Sequence, residues 1–588
     1  MLARLPFTPE LTFSTDLMST SELKPRTGGQ ILVDQLVLHG ASRAFCVPGE
    51  SFLAVLDALY DVRDQLPLVV CRQEGGVANM AEAWGKLTGT PGIAFATRGP
   101  GATNASIGVH TAFQDSTPMI LFIGQVGSDF IEREAFQEID YRRMFGPMAK
   151  WVASIDRADR MPEYIQHAFH VATSGRPGPV VLALPEDMLT SMATVADALP
   201  YRPAIPAPGA QAMAAFGARL AVAERPLLLL GGSRWDAASR AAMQAFAHRW
   251  GLPVACAWRY QDAYDNTDSH YIGEVGIGLN PKLAERVREA DLLIAVGVRL
   301  GEMTTQGYTL VESPTPRQQL VHVFPGADEF GRVFHAAQPI VSGSIEFAHA
   351  LAGLDEAPAP ACAQRWQPAL EQARTEFAAW RVPRAQPGSL SYPQCVLHLD
   401  EVLPANALFT NGAGNFATPL HRFYRHRTHK SQLAPTSGAM GYAVPAAVAA
   451  ALCHPDRPVF AVTGDGDFMM NGQELATAVQ YGARPIVLLV NNGMYGTIRM
   501  HQEREYPARV YGTALQNPDF VKLAQAYGCH AERVTDTAQF AGALARAMSC
   551  GSAALIELVI DPQAITAAQT IDEIRSKAQQ AATPAPGQ

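Results

Sequence analysis

Thr463-Gly464-Asp465-Gly466-Asp467-Phe468-Met469-Met470-Asn471 follows the apolar run Val459-Phe460-Ala461-Val462, and Pro485-Ile486-Val487-Leu488-Leu489-Val490 runs into Asn491-Asn492. Short apolar runs closed by turn residues read as buried strands of a parallel sheet. An acid held between two glycines at a strand end lets bare backbone approach a diphosphate. With 24 residues between Gly466 and Asn491, Asp465 and Asn492 fall at the carboxyl ends of neighbouring strands, where open α/β sheets bind ligands. A carboxylate and an amide oxygen are hard donors that suit Mg²⁺ bridging to phosphate oxygens. For Gly-Asp-Gly taken alone, a plain strand-to-loop turn followed by an unrelated Asn pair is the competing reading.

Strand-length apolar runs alternate with helical stretches along the rest of the chain, so the expected class is α/β with parallel sheets. Three doubly wound domains are expected, at 26–190, 205–355 and 370–570. The first holds Ile93-Ala94-Phe95-Ala96-Thr97 and Met119-Ile120-Leu121-Phe122-Ile123, the second Leu292-Leu293-Ile294-Ala295-Val296-Gly297. Proline-rich stretches around Pro200–Pro208 and Glu356-Ala357-Pro358-Ala359-Pro360-Ala361 read as the linkers. A length of 588 residues is too great for one core, which agrees with three domains. The Gln-, Ala- and Pro-rich tail after Ile571 is expected to fray.

Apolar content of 48% with 17% charged residues describes an ordinary soluble globular chain. A net charge of −9 without a basic run leaves no footprint for nucleic acid. No apolar stretch reaches the roughly 20 residues that span a bilayer, so no membrane partner is expected. Met1 to Lys24 lacks a compact hydrophobic segment with a cleavage site, and Met18 begins a more typical start. The expected location is cytoplasmic, with the first residues a poorly ordered extension. Eight scattered cysteines without C-x-x-C read as reduced, mostly buried thiols and support no zinc-type site.

The first domain carries Cys71-Arg72-Gln73-Glu74-Gly75-Gly76-Val77-Ala78-Asn79. Glu74 stands where an apolar strand ends and an Ala/Gly-rich helix begins. A carboxyl in a dry pocket has its pKa raised and can share a proton with a ring nitrogen beside it. The structural alternative is that Glu74 caps the helix it starts.

From about Gly28 to Pro562 the chain resembles the thiamine-diphosphate (ThDP) dependent acetolactate synthase superfamily, which includes acetohydroxyacid synthases, benzoylformate decarboxylases and related carboligases. The resemblance rests on Val47-Pro48-Gly49-Glu50, the Glu74 segment, Arg98-Gly99-Pro100-Gly101-Ala102-Thr103-Asn104, Glu134-Ala135-Phe136-Gln137-Glu138 and the Gly-Asp-Gly to Asn-Asn interval, in the family's order. It implies pyrimidine-binding, central and diphosphate-binding domains, with ThDP and Mg²⁺ as cofactors. Asp465, Asn492 and the backbone carbonyl of Met494 are the implied metal ligands. Glu74 is the implied acid beside the pyrimidine nitrogen, and Met440 the large apolar residue wedged between the two cofactor rings. Pro48, Gly49, Asn104, Asn411, Gly412, Ala413, Gly464, Gly466, Asp467, Tyr495 and Gly496 are the other implied cofactor contacts. Phe136, Gln137 and Lys150 are the implied substrate-facing residues. In this family the glutamate and the Gly-Asp-Gly come from different subunits, so the resemblance implies a homodimer or homotetramer.

Three segments depart from the pattern. Acetohydroxyacid synthases carry a tryptophan in the helix after the Asn pair, and Asn492-Gly493-Met494-Tyr495-Gly496-Thr497-Ile498-Arg499-Met500-His501 has none. Arg98 stands where a serine is common, either attracting an acidic substrate or forming an ion pair outside it. Trp258-Arg259-Tyr260-Gln261 fills a turn that usually contains glycine, and bulk there crowds a flavin's diphosphate. FAD is therefore possible but not favoured. The resemblance implies decarboxylation of a pyruvate-like 2-ketoacid and joining of the two-carbon enamine to a second carbonyl. The alternatives are a benzoylformate decarboxylase-like 2-ketoacid decarboxylase, mildly disfavoured by the lack of an adjacent His-His pair, and a non-catalytic ThDP-binding homologue, which has no need of Glu74. A Rossmann oxidoreductase lacks its G-x-G-x-x-G after a first strand.

Overall fold

The computed structural model describes residues 23–582 and contains three six-stranded parallel sheets. The first is built from Ala44–Cys46, Leu68–Val70, Gly92–Ala96, Met119–Gln125, Trp151–Ser154 and Pro179–Pro185. The third uses Leu408–Asn411, Gln432–Leu433, Val459–Gly464, Ile486–Asn491, His530–Val534 and Ala554–Val559. Numbering strands in chain order within each sheet, both share the order 2-1-3-4-6-5. The middle sheet, running from Pro226–Leu230 to Gln338–Val341, has the order 3-2-1-4-5-6 typical of dinucleotide-binding sheets. Helices cover both faces, which is why central strands such as Met119–Gln125 and Pro179–Pro185 are buried at every residue.

This order places the ligand crevices. In the first and third sheets the chain leaves strand 1 toward one edge and strand 3 toward the other, so a cleft opens between their carboxyl ends. That cleft lies between 47–49 and 97–99 in the first sheet, and between 411–413 and 464–467 in the third. The two domains share one apolar core, because the small residues of Glu74–Thr88 pack against the alanine-rich Ala443–Cys453. A buried polar cluster joins them: Lys86 Nζ pairs with Glu82 at 3.1 Å and with Asp115, while Tyr442 donates to Glu82 at 2.6 Å.

Two expectations are corrected. The stretch read as the second linker runs directly into the helix Ala359–Trp380, with Pro360 in the first turn, where a missing N–H costs nothing. Its Trp366 and Phe377 bury into the middle core. The tail forms the helix Ile571–Ala582 rather than fraying from Ile571, and 583–588 lie outside the described residues. It docks on Gly496–Glu505 through Arg575, which donates to the fully buried Glu503 at 2.6 Å. That partner lies 72 positions away, out of reach of a compositional reading. Residues 1–22, including the start at Met18, lie outside the described residues. Among the described residues no helix is long and apolar enough to cross a membrane.

Candidate active site

A cavity of about 660 Å³ opens at the carboxyl end of the third sheet. It is lined by Ala413, Met440, Gly464, Asp465, Gly466, Asp467, Asn492, Met494, Tyr495 and Gly496, together with Trp258 and Arg259 of the middle domain and 564–567. The glycines are sterically required. A Cβ at Gly464 would come within 2.8 Å of the Phe416 ring, and one at Gly466 within 2.5 Å of Tyr495.

Asp465 begins the helix Asp465–Asn471, and its carboxylate accepts from Gly466 N at 3.0 Å and Asn517 Nδ2 at 2.8 Å. Asn517 also reaches Asn491 Oδ1 at 3.1 Å, so one amide ties both halves of the signature together. Burial raises the Asp465 carboxyl pKa, a penalty a bound cation would remove. Asn492 Oδ1 accepts Met494 N at 3.2 Å. Tyr495 N to Thr513 O and Leu515 N to Gly493 O, both 2.9 Å, hold the loop in place. A carboxylate, an amide oxygen and a loop backbone on one cavity wall are a hard-oxygen donor set that fits Mg²⁺.

Asp467, also on the cavity wall, spends its carboxylate on the surrounding loops. Its buried carboxylate accepts Gly441 N at 2.9 Å, Ala413 N at 3.2 Å and Thr463 Oγ1 at 2.5 Å, and burial pushes its pKa up to about 6. It ties the strand end, the 411–413 loop and the turn carrying Met440 into one unit. A Cβ at Gly412 would come within 2.1 Å of it. Asn411 and Gly412 stand one layer behind the cavity wall, with Asn411 Oδ1 at 3.2 Å from His421 Nε2.

The remaining predicted residues form a second group on the first domain, and none of them lines this cavity. Glu74 is half-buried, and Asn104 Nδ2 donates to its Oε2 at 2.9 Å. Capping of the helix falls to Gln73 instead, whose side chain accepts Gly75 N at 2.5 Å and Gly76 N at 3.2 Å. Glu474 of the third domain accepts Arg72 N at 3.0 Å and Gln73 N at 3.1 Å, gripping the turn that presents Glu74. Pro48 is exposed and Gly49 packs on Thr97. Phe136 is 72% exposed, while the Gln137 carbonyl accepts Gly99 N at 2.9 Å. Arg98 is buried and ion-paired to Glu186. Lys150 is corrected: its Nζ donates to Ser174 O at 2.7 Å and to Val171 O, closing the end of the helix Met161–Thr173. Asn517 is a site residue that the sequence reading missed, and the middle-domain pair Trp258-Arg259, read there only as crowding a flavin, lines this cavity. Neither falls at a fixed spacing from the signature.

Behind the wall, Glu274 Oε1 accepts Arg259 N at 3.2 Å and lies 3.7 Å from His421 Nδ1. Burial pushes Glu274 up to about 8 and His421 well below its usual range, so both are neutral at pH 7. The native state thus keeps a proton that the unfolded chain, with the ordinary value of 4.5, has already released. Stability from this group is full below about 4.5, falls as pH rises toward about 8, and is flat above. Glu274→Gln keeps the neutral shape and removes that loss. Melting curves against pH are expected to show the variant pulling ahead of wild type across this window by a few degrees. Parallel curves would contradict the buried, protonated carboxyl.

A second cavity of about 510 Å³ lies at the carboxyl ends of strands 1 and 4 of the middle sheet, lined by Gly232, Ser233, Gly297, Arg299, Trp258 and Tyr260 among others.

The chain matches the thiamine pyrophosphate (that is, ThDP) enzymes domain by domain. Residues 26–144 match their N-terminal TPP binding domain, 213–351 their central domain, and 412–558 their C-terminal TPP binding domain. Two ligand-binding sheets of one topology, flanking a dinucleotide-type sheet, are therefore those of a ThDP enzyme. The relatives narrow this. The chain is 30% identical to the acetolactate synthase large subunit of Haemophilus influenzae over 526 residues, 86% of this chain and 89% of the relative. It is 31% identical to the acetolactate synthase large subunit of Corynebacterium glutamicum over 541 residues, 89% of this chain and 84% of that one. It is 30% identical to the acetolactate synthase isozyme 2 large subunit of Escherichia coli over 544 residues, 91% and 95% respectively. It belongs to the acetolactate synthase family of ThDP-dependent enzymes.

Proposed function

We propose that this enzyme decarboxylates a pyruvate-like 2-ketoacid and joins the resulting two-carbon unit to a second carbonyl, as its relatives' name acetolactate synthase describes. The observation that carries the reading is the pairing of functions: a metal-donor set in one cavity, and a strand-end glutamate freed from capping duty by Gln73. When bound, ThDP supplies a carbanion that adds to the keto carbon and accepts the electrons left by CO₂. Asp465, Asn492 and the Met494 carbonyl are the residues that would hold Mg²⁺, whose charge would favour a diphosphate in this cavity. Glu74, oriented by Asn104, holds the proton at the pyrimidine nitrogen. Met440, on the turn that Asp467 holds through Gly441 N, would offer the cofactor an apolar support in the cavity. Ile498, Met500 and Ile565 on the cavity wall exclude water.

Glu74 and the cavity belong to separate groups of one chain, so the working unit is at least a homodimer in which each copy completes the other's site. Exposed apolar side chains in both halves support this: Phe136 and Ile107 in the first domain, Met469 and Met470 in the helix that follows Gly464. On the same reading a flavin is not favoured in the middle domain, because Trp258 and Tyr260 line its cleft beside Gly232 and Gly297. Location in the cytoplasm is supported by eight unpaired cysteines, six of them buried.

The test is pyruvate with ThDP and Mg²⁺, assaying acetolactate against acetaldehyde in a sample read for flavin absorbance. Acetolactate is the expected product. Acetaldehyde alone would favour the decarboxylase reading, which draws support from a cavity-lining helix with Ile498, Met500, His501 and Arg504 in place of a tryptophan. Bound ThDP with no turnover of any 2-ketoacid would overturn both.

A further inference from the structure

The turn after Val254–Ala257 uses arginine where glycine is the unstrained choice. Arg259 has φ +66°, the left-handed region that side chains other than glycine, Asn and Asp seldom occupy. Such strain persists only where the surroundings over-determine it, and here they do. The side chain crosses from the middle domain into the third, where Nη2 donates to Gly412 O at 2.9 Å and Nη1 to Pro435 O. The guanidinium lies over the neighbouring Trp258 ring at 4.3 Å from its centre. Arg259 is only 4% exposed, and burial lowers its pKa to about 10, which leaves it charged at neutral pH.

The two carbonyls it holds are not arbitrary. Gly412 precedes Ala413, and Pro435 opens the turn that leads to Met440; Ala413 and Met440 both line the 660 Å³ cavity. The opposite side of the same two segments is held by Asp467, which accepts the N–H groups of Ala413 and Gly441. A buried cation takes the carbonyls and a buried carboxylate takes the N–H groups, so the two loops are clamped between opposite charges. Thr436, beside Pro435, is fixed in turn by Asp115, which accepts its N–H at 2.7 Å.

We propose that Arg259 is a positioning residue through which the middle domain sets Ala413 and Met440 against the cofactor. The proposal rests on the ThDP reading of the cavity and adds to it a function for the central domain. Without Arg259 two buried carbonyls lose a charged donor while the cavity itself keeps every residue proposed to touch cofactor or metal.

The test uses the full chain with Mg²⁺ in excess and reads ThDP affinity by calorimetry, separately from turnover. Arg259→Met removes the donors, Arg259→Gly removes them and also relieves the strained φ, and Arg259→Lys keeps one cation. The Met and Gly variants are expected to bind ThDP about tenfold or more weaker than wild type, the loss of one to two charge-assisted bonds. Lys is expected to recover part of that loss. With pyruvate as probe, kcat is expected to fall in the same order while KM changes less than about threefold, since the donors lost contact no substrate. A purely structural role predicts a different pattern: a lower melting temperature of the cofactor-free protein, least in the Gly variant, with ThDP affinity and kcat unchanged. That pattern overturns the proposal, and unchanged affinity in the Lys variant alone does so if Met and Gly fail to fold. Absence of ThDP binding in wild type would instead bring down the functional reading, and this inference with it.

Discussion

Glu74→Gln is expected to bind Mg²⁺ and ThDP within about threefold of wild type while turning over about 10²- to 10⁴-fold slower, the range for loss of a positioned acid–base group. The fold has little reason to notice the change. Gln73 caps the helix, the turn is held by Glu474, and a glutamine Oε1 still accepts the Asn104 amide. What the amide cannot do is hold and release a proton at the pyrimidine nitrogen. Steady-state turnover together with calorimetric ThDP binding makes the check. A variant that binds cofactor and keeps its rate would remove the glutamate from the chemistry and revive the non-catalytic homologue.

Asp465→Ala is expected to act at the other end of the cofactor and on a different quantity. Losing the one carboxylate among the proposed metal donors leaves an amide and a carbonyl, too little charge for a cation that sheds its water reluctantly. ThDP affinity in Mg²⁺ is expected to drop by at least about a hundredfold, beyond the cost of an ordinary hydrogen bond. Turnover should vanish with it. Combining the two inactive proteins gives the sharper result. In a heterodimer of Glu74→Gln with Asp465→Ala, one site joins both lesions and the other joins neither, provided each site draws on two copies. Statistical co-assembly is then expected to restore about a quarter of wild-type activity. If each chain built its own site, every site would carry one lesion and the mixture would stay dead.

Much of this architecture was legible without coordinates. Apolar runs of strand length, spaced by helical stretches, identify parallel α/β domains because both faces of such strands must be dry. The acid between glycines after Val459–Gly464 and the Asn pair after Ile486–Asn491 are legible for the same reason. Strand ends are where the backbone must turn, and only certain residues permit a close approach there. The equal strand orders of the outer sheets, and the different hydrogen-bond partners of Asp465 and Asp467, were not legible. Two aspartates separated by one glycine look equivalent in sequence; one lines the proposed metal site and the other clamps the loops. Lys150 was misread for a similar reason, since a motif match says nothing about which way a long side chain runs.

What the chain's order of residues determined by itself was local chemistry: strands, glycine turns, the donor types at each strand end, and the acid at position 74. Tertiary structure alone decided which group stands behind which. Arg259 meets Gly412 across 153 positions and Pro435 across 176, and Arg575 meets Glu503 across 72. Such contacts depend on how whole sheets dock, a property of summed buried surfaces that no short stretch of sequence contains.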